Sequence, residues 1–137
     1  MVFLYNLQNS VKDFFRKKDQ VVSVDLFGSY AKGTNKEDSD IDLAILCDVK
    51  NMPSKMDILS WRQELSEVLH KEVDLICLND ASPIIGMQVA QDKINILIKD
   101  EAVYGVYLMK LYSDCAELKM LRAPMEKGIL KRKYYDQ

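Results

Sequence analysis

Two acidic side chains stand two residues apart in Asp40-Ile41-Asp42-Leu43-Ala44-Ile45-Leu46, and a Gly28-Ser29 pair precedes them by ten intervening residues. In a strand, residues two apart point to the same side, so the Asp40 and Asp42 carboxylates share a face about 6–7 Å apart along the chain. Two like charges on one face of an otherwise apolar strand are costly unless a cation neutralises them. Hard oxygen donors at this spacing suit Mg2+, which takes one or two carboxylates and completes its shell with phosphates and water. A third acid, Asp74, lies in a similar apolar setting, Glu72-Val73-Asp74-Leu75-Ile76. Adjacent strands run about 4.8 Å apart, so Asp74 can face the pair and either bind the metal or take a proton from an attacking hydroxyl.

Gly28-Ser29 supplies the complementary half. Glycine lets the chain turn sharply and approach a ligand closely, and the amides that follow can point at a phosphate while the Ser29 hydroxyl adds a hydrogen bond. Taken singly, each piece has a plainer explanation. Asp38-Ser39-Asp40 is a common turn, Gly28-Ser29 an ordinary one, and Asp74 a solvent-facing strand residue. The plain explanation fails for Asp42, which interrupts an apolar run. Together the residues describe a phosphate cradle at the end of one strand and a metal-binding acidic pair at the start of the next, a set that stabilises charge on a transferring phosphoryl group.

These residues need rigid elements to hold them. Val21–Phe27, Ile41–Cys47, Val73–Leu78 and Ile94–Ile98 read as strands, the last at an edge. Tyr30–Ser39 is a polar connection. Asn6–Lys18 carries Leu7, Val11, Phe14 and Phe15 at helical spacing. Pro53 opens a helix to about Lys71 with Ile58, Trp61, Leu65, Val68 and Leu69 on one side, and Pro83 opens another ending near Lys93. A long helix runs from Glu101 to about Leu121, before Pro124, with Val103, Tyr107, Leu111, Cys115 and Leu118 as its core stripe. A neighbouring stripe of Tyr104, Leu108 and Tyr112 is either further core or a docking face. Glu126–Gln137 is a basic tail, read as solvated or as a contact for a partner or RNA. Alternating strands and helices without a linker or repeat describe one α/β domain around a short mixed sheet flanked by helices.

Composition narrows the rest. The chain has 137 residues, 48% of them hydrophobic and 29% charged, the balance of one globular domain. Lys plus Arg number 19 against 21 Asp plus Glu, so the overall charge gives no support to nucleic acid as a direct substrate. Cys47, Cys77 and Cys115 form no CxxC pair, and His70 has no partner at zinc spacing. Reduced core thiols are the simpler account, at least for Cys47 and Cys77. With no signal segment and no run of about 18 apolar residues, the expected location is cytoplasmic.

Gly28-Ser29-x10-Asp40-x-Asp42, followed by Asp74, resembles the nucleotidyltransferase superfamily related to DNA polymerase β. The chain is similar to its minimal members, the MNT antitoxins paired with HEPN-domain toxins. The match is specific over about residues 21–80, and beyond them rests on length and element order, with the final helix and tail at about 101–137. The resemblance implies Asp40, Asp42 and Asp74 as catalytic, Mg2+-binding acids and Gly28 and Ser29 as phosphate binders. Lys32 falls where the family often has arginine; it offers one charge to a phosphate without a two-pronged contact. The activity implied is transfer of AMP from ATP to a tyrosine of a HEPN ribonuclease toxin, in a hetero-oligomer, which silences the toxin. Arg62 and His70 are too widely spaced for the R-x4–6-H element of the toxin itself. Two alternatives stay open: adenylation of a small hydroxyl compound, with only 57 residues after Asp80 to hold one, and an antitoxin that works by binding alone.

Overall fold

Valine- and leucine-rich runs that end at Gly28 and Asp48 become strands because both of their faces are covered. The computed structural model describes residues 2–117. They form α1 (Val2–Arg16), β1 (Val21–Phe27), α2 (Ser29–Lys32), β2 (Ile41–Cys47), α3 (Lys55–Leu69), β3 (Val73–Cys77), α4 (Pro83–Asp92) and β4 (Ile94–Ile98), then α5 over 101–117. The mixed sheet has the order β3-β2-β1-β4, with β1 antiparallel to both neighbours and β2 parallel to β3. The expected α/β architecture and the edge position of β4 are both present. Parallel pairing of β2 and β3 requires a crossover, and α3 provides it.

One layer of core packs Leu7, Val11 and Phe15 of α1 and Trp61, Leu65 and Leu69 of α3 against Val24, Leu26, Leu43, Ile45, Val73 and Leu75 of the sheet. On the other face Val89 of α4 and Tyr104 of α5 meet Val22, Ala44 and Leu46. The doubly buried strands β1 and β2 therefore leave no free face for a charge. Each acid they carry needs a specific reason.

Local chemistry sets the helix ends. Ser54 and Asp57 form a reciprocal capping box, each side chain accepting the other's backbone N–H at 3.0 Å. The helix expected to open at Pro53 thus starts one cap later. Pro83 does occupy the first turn of α4, where the Ser82 hydroxyl accepts the Ile85 N–H. His70 ends α3 in the left-handed region at φ 56°. Helix α1 starts earlier than the apolar spacing alone suggests, because the Phe3 ring packs on Tyr30 with centroids 6.1 Å apart. Of the apolar side expected for α3, Trp61, Leu65 and Leu69 are buried, whereas Val68 is 54% exposed.

The expected stripe of the long helix largely holds, with Tyr107 packed against the core beside Leu111 and Cys115, but Tyr104 of the neighbouring stripe takes the place expected for Val103. Tyr104, Leu111 and Cys115 are buried, whereas Val103 and Tyr112 are 43% and 51% exposed. Two contacts fix how the helix faces the sheet. The Tyr104 hydroxyl donates to Asp25 at 2.9 Å, and Leu111 lies where a side chain on Gly86 would be, its Cδ1 2.7 Å from a Cβ built there. Leu118, the end of the helix near Leu121 and the basic tail lie outside the described residues. Among the described residues no helix is long and apolar enough to cross a membrane.

Asp25 itself is almost fully buried in β1, hydrogen-bonded to Asn95 and Tyr104. Burial pushes its carboxyl above the usual carboxylate range, against the opposing pull of those hydrogen bonds and of Lys93. A carboxyl raised on folding binds its proton more tightly in the folded state. Its favourable contribution is complete below the unfolded value and is lost as pH rises through the folded one. Urea unfolding of wild type and Asp25→Asn at pH 4, 6 and 8 should therefore show the difference shifting steadily toward the variant as pH rises. A difference independent of pH refutes this account of Asp25.

Candidate active site

The site begins where β1 runs out. Gly28 takes φ 74° and ψ −153°, a conformation essentially reserved for glycine. It turns the chain into α2, where the Lys32 N–H donates to the Gly28 carbonyl and the Thr34 N–H to that of Ser29. A Cβ built on Gly28 would lie 2.1 Å from Oδ2 of Asp42. Glycine is thus required twice, by the backbone and by its neighbour. The turn expected to cradle phosphate is packed directly against the acid expected to hold metal.

The strand register aligns the acids. Phe27 is opposite Asp42 in the antiparallel pair, and Asp42 is opposite Asp74 in the parallel one. Asp42 is half-buried, while Asp40 and Asp74 are exposed. Asp40 lies one residue before β2 and is not a strand residue, so the expected strict two-residue strand alternation does not apply to it. Its charge still reaches Asp42. Burial first, then the negative charges of Asp74 and Asp40, push the Asp42 carboxyl up to about 6. A carboxylate in this state has an unmet need for positive charge.

Among the described residues no three His, Cys, Asp or Glu side chains already stand as a set able to hold a metal ion. The acids do not form a closed cage. The donor chemistry nevertheless fits Mg2+, which takes few protein carboxylates and fills its shell with phosphate oxygens and water. The crowding of negative charge at Asp42, beside a turn with no side chain in the way, is the observation that supports that fit.

Lys32 projects from α2 to Asp92, the last residue of α4, with Nζ 3.3 Å from Oδ2. An acid at a helix C-terminus opposes the helix dipole, and Lys32 offsets that cost. Nothing in the local sequence around Asp92 tells of a partner 60 residues away. Asp25, by contrast, does carry a signal in the sequence: it interrupts Val21-Val22-Ser23-Val24-Asp25-Leu26-Phe27 much as Asp42 interrupts β2. Around the site, Lys71 Nζ donates to the Glu37 carbonyl at 2.8 Å and anchors the polar connection that leads into Asp40.

The sequence profile of the polymerase beta nucleotidyltransferase family matches residues 9–102. The protein adenylyltransferase MntA of Thermococcus cleftensis is 31% identical over 85 residues, covering 62% of this chain and 84% of the relative. The fold is shared with a toxin–antitoxin crystal structure containing AMP-PNP, at TM-score 0.78 and 24% identity over 90% of this chain and 98% of that one. It is also shared, at TM-score 0.74 and 21% identity over 93% and 98% of the two chains, with a complex of tri-AMPylated Shewanella oneidensis HEPN toxin and MNT antitoxin. The chain belongs to the polymerase β nucleotidyltransferase family, as an enzyme of its minimal, MntA-like type.

Proposed function

We propose that this single-domain chain is a Mg2+-dependent protein adenylyltransferase, which moves AMP from ATP onto a tyrosine of a HEPN-domain toxin and thereby acts as its cytoplasmic antitoxin. The observation that carries the reading is the packing of Gly28 against Asp42 with Asp74 in register beside it. Support for the substrate and partner comes from the relatives: one is named a protein adenylyltransferase, one shares its crystal with an ATP analogue, and one is bound to an AMPylated HEPN toxin.

In this reading the amides after Gly28, with the Ser29 hydroxyl, receive the triphosphate, and Lys32 adds a positive charge at its flank. Asp40 and Asp42, with Asp74 beside them, would hold Mg2+, which supplies Lewis-acid stabilisation of charge on the phosphate oxygens. Asp74, the exposed member of the pair, accepts the proton of the attacking tyrosine hydroxyl. An ordinary tyrosine has a pKa near 10, so it needs such help at neutral pH. The phenolate oxygen bonds to the α-phosphorus in line, the bond to the bridging oxygen breaks, and pyrophosphate leaves.

The test is incubation with α-labelled ATP, Mg2+ and the product of the neighbouring gene. Label is expected on a tyrosine of that partner, with pyrophosphate released in equal amount, and none with Asp40→Ala/Asp42→Ala. Label on small hydroxyl compounds alone, or toxin neutralisation undiminished in the double variant, overturns the proposal.

A further inference from the structure

Cys47 and Cys77 close β2 and β3 at the ends opposite Asp42 and Asp74. Their sulfurs are buried 4.0 Å apart, and both are free thiols. Asn79 bridges them. Its Oδ1 accepts the Cys47 N–H at 2.8 Å and the Cys77 thiol at 3.3 Å, and its Nδ2 donates to the Cys47 carbonyl at 2.9 Å. Cys47 and Asn79 also line a cavity of about 680 Å3, together with Val22, Leu46 and Tyr107. The cavity opens a small oxidant's way to Cys47, and the Cys77 sulfur, on a residue 8% exposed, lies 4.0 Å from it. Adenylyl transfer uses neither thiol.

We propose that Cys47 and Cys77 are an oxidation site, at which a peroxide joins the two sulfurs and thereby alters the strand pair that carries Asp42 and Asp74. The Cys77 thiolate attacks one peroxide oxygen, the O–O bond breaks, and the departing oxygen leaves as hydroxide and takes up a proton to become water. The Cys47 sulfur then attacks the resulting sulfenic sulfur. An S–S bond forms, the S–O bond breaks, and a second water leaves with the Cys47 proton. Two thiols are oxidised by two electrons in total and one peroxide is reduced. The pair is chemically suited to this order. Their shared hydrogen bond draws the Cys77 thiol below the usual thiol range, despite burial, and holds Cys47 above it.

The register determines the consequence. Cys77 is opposite Ile45, so Cys47 is its diagonal neighbour. A disulfide needs sulfurs about 2 Å apart and Cα atoms within about 7 Å, which a diagonal pair on an undisturbed ladder does not readily meet. Bond formation draws the strand ends together, displaces the Asn79 bridge and strains the same ladder that sets Asp42 beside Asp74.

The experiment treats the reduced, full chain with hydrogen peroxide, then reads intact mass, peptide map and ATP affinity with and without dithiothreitol. Expected are a mass loss of about 2 Da mapped to Cys47–Cys77, its reversal by dithiothreitol, and ATP binding at least about fivefold weaker in the oxidised form. Cys47→Ala and Cys77→Ala should each abolish the mass loss, and Cys115→Ala should retain it. A gain of about 16 Da at Cys77 without crosslinking, or a disulfide with unchanged ATP affinity, overturns the proposal. The affinity arm rests on the nucleotide-binding reading above. Failure of the reduced chain to bind ATP counts against that reading, whereas the mass result judges the thiol pair separately.

Discussion

Asp42→Asn is expected to lower AMP transfer by on the order of 10³-fold, as measured by label incorporation into the partner with Mg2+ and ATP saturating. Asparagine keeps the shape and removes the charge, so the turn at Gly28 still has its neighbour while the cation loses its half-buried carboxylate. The same substitution should make the metal-free, nucleotide-free protein more stable at pH 8. Asp42 is raised from the ordinary 3.8 to about 6 on folding. Its contribution is thus complete below pH 4 and lost as pH rises through 6, so the wild type carries a penalty at pH 8 that the variant lacks. Because the site is partly open to solvent, the gain should be on the order of 1 kcal/mol. Urea unfolding of both proteins at pH 8 checks it. A variant that loses activity and stability together would point to a structural role and remove Asp42 from the chemistry.

Gly28→Ala should be nearly as damaging, through geometry alone. Its methyl group would lie 2.1 Å from Asp42 Oδ2 at φ +74°, so the carboxylate or the turn must move. Strain of this kind costs about 1–3 kcal/mol, and a displacement of about 1 Å at a reacting centre costs on the order of 10²-fold in rate. Gly33→Ala is the internal control. It has a similar positive φ of +76°, but a Cβ there meets nothing within 4 Å. That variant should lose about 1–2 kcal/mol of stability and keep its transfer rate. Equal activity in the two variants would show that the contact between Gly28 and Asp42 is not part of the site.

The contrast between these glycines also marks the limit of reading the chain alone. β1 and β2 were legible to the residue because a largely apolar, β-branched run ending in glycine or a polar turn permits little else. Asp42 was legible because a charge inside such a run demands an explanation. What could not be read was anything decided by packing between distant segments. The burial of Tyr104 in place of Val103 on α5 depends on its hydroxyl reaching Asp25, which leaves no local signature. The start of α3 followed the Ser54–Asp57 box instead of Pro53, a competition between two good start signals that only the cap geometry decides. Lys32 was identified by position, yet the ion pair with Asp92 depends on how α2 and α4 meet at the rim.

The parallel register between β2 and β3 has a consequence for how this chain can vary. Only residues 70–72 join α3 to β3, and side chains alternate faces along a strand. Removing or adding one residue there, with the backbone pairing otherwise kept, would turn Asp74 inward toward the greasy layer of Trp61 and Leu65. Two residues would restore its outlook but shift it along its neighbour. This three-residue connection is therefore one whose length sequence drift can hardly edit, and its tolerance to indels is set by parity as much as by size.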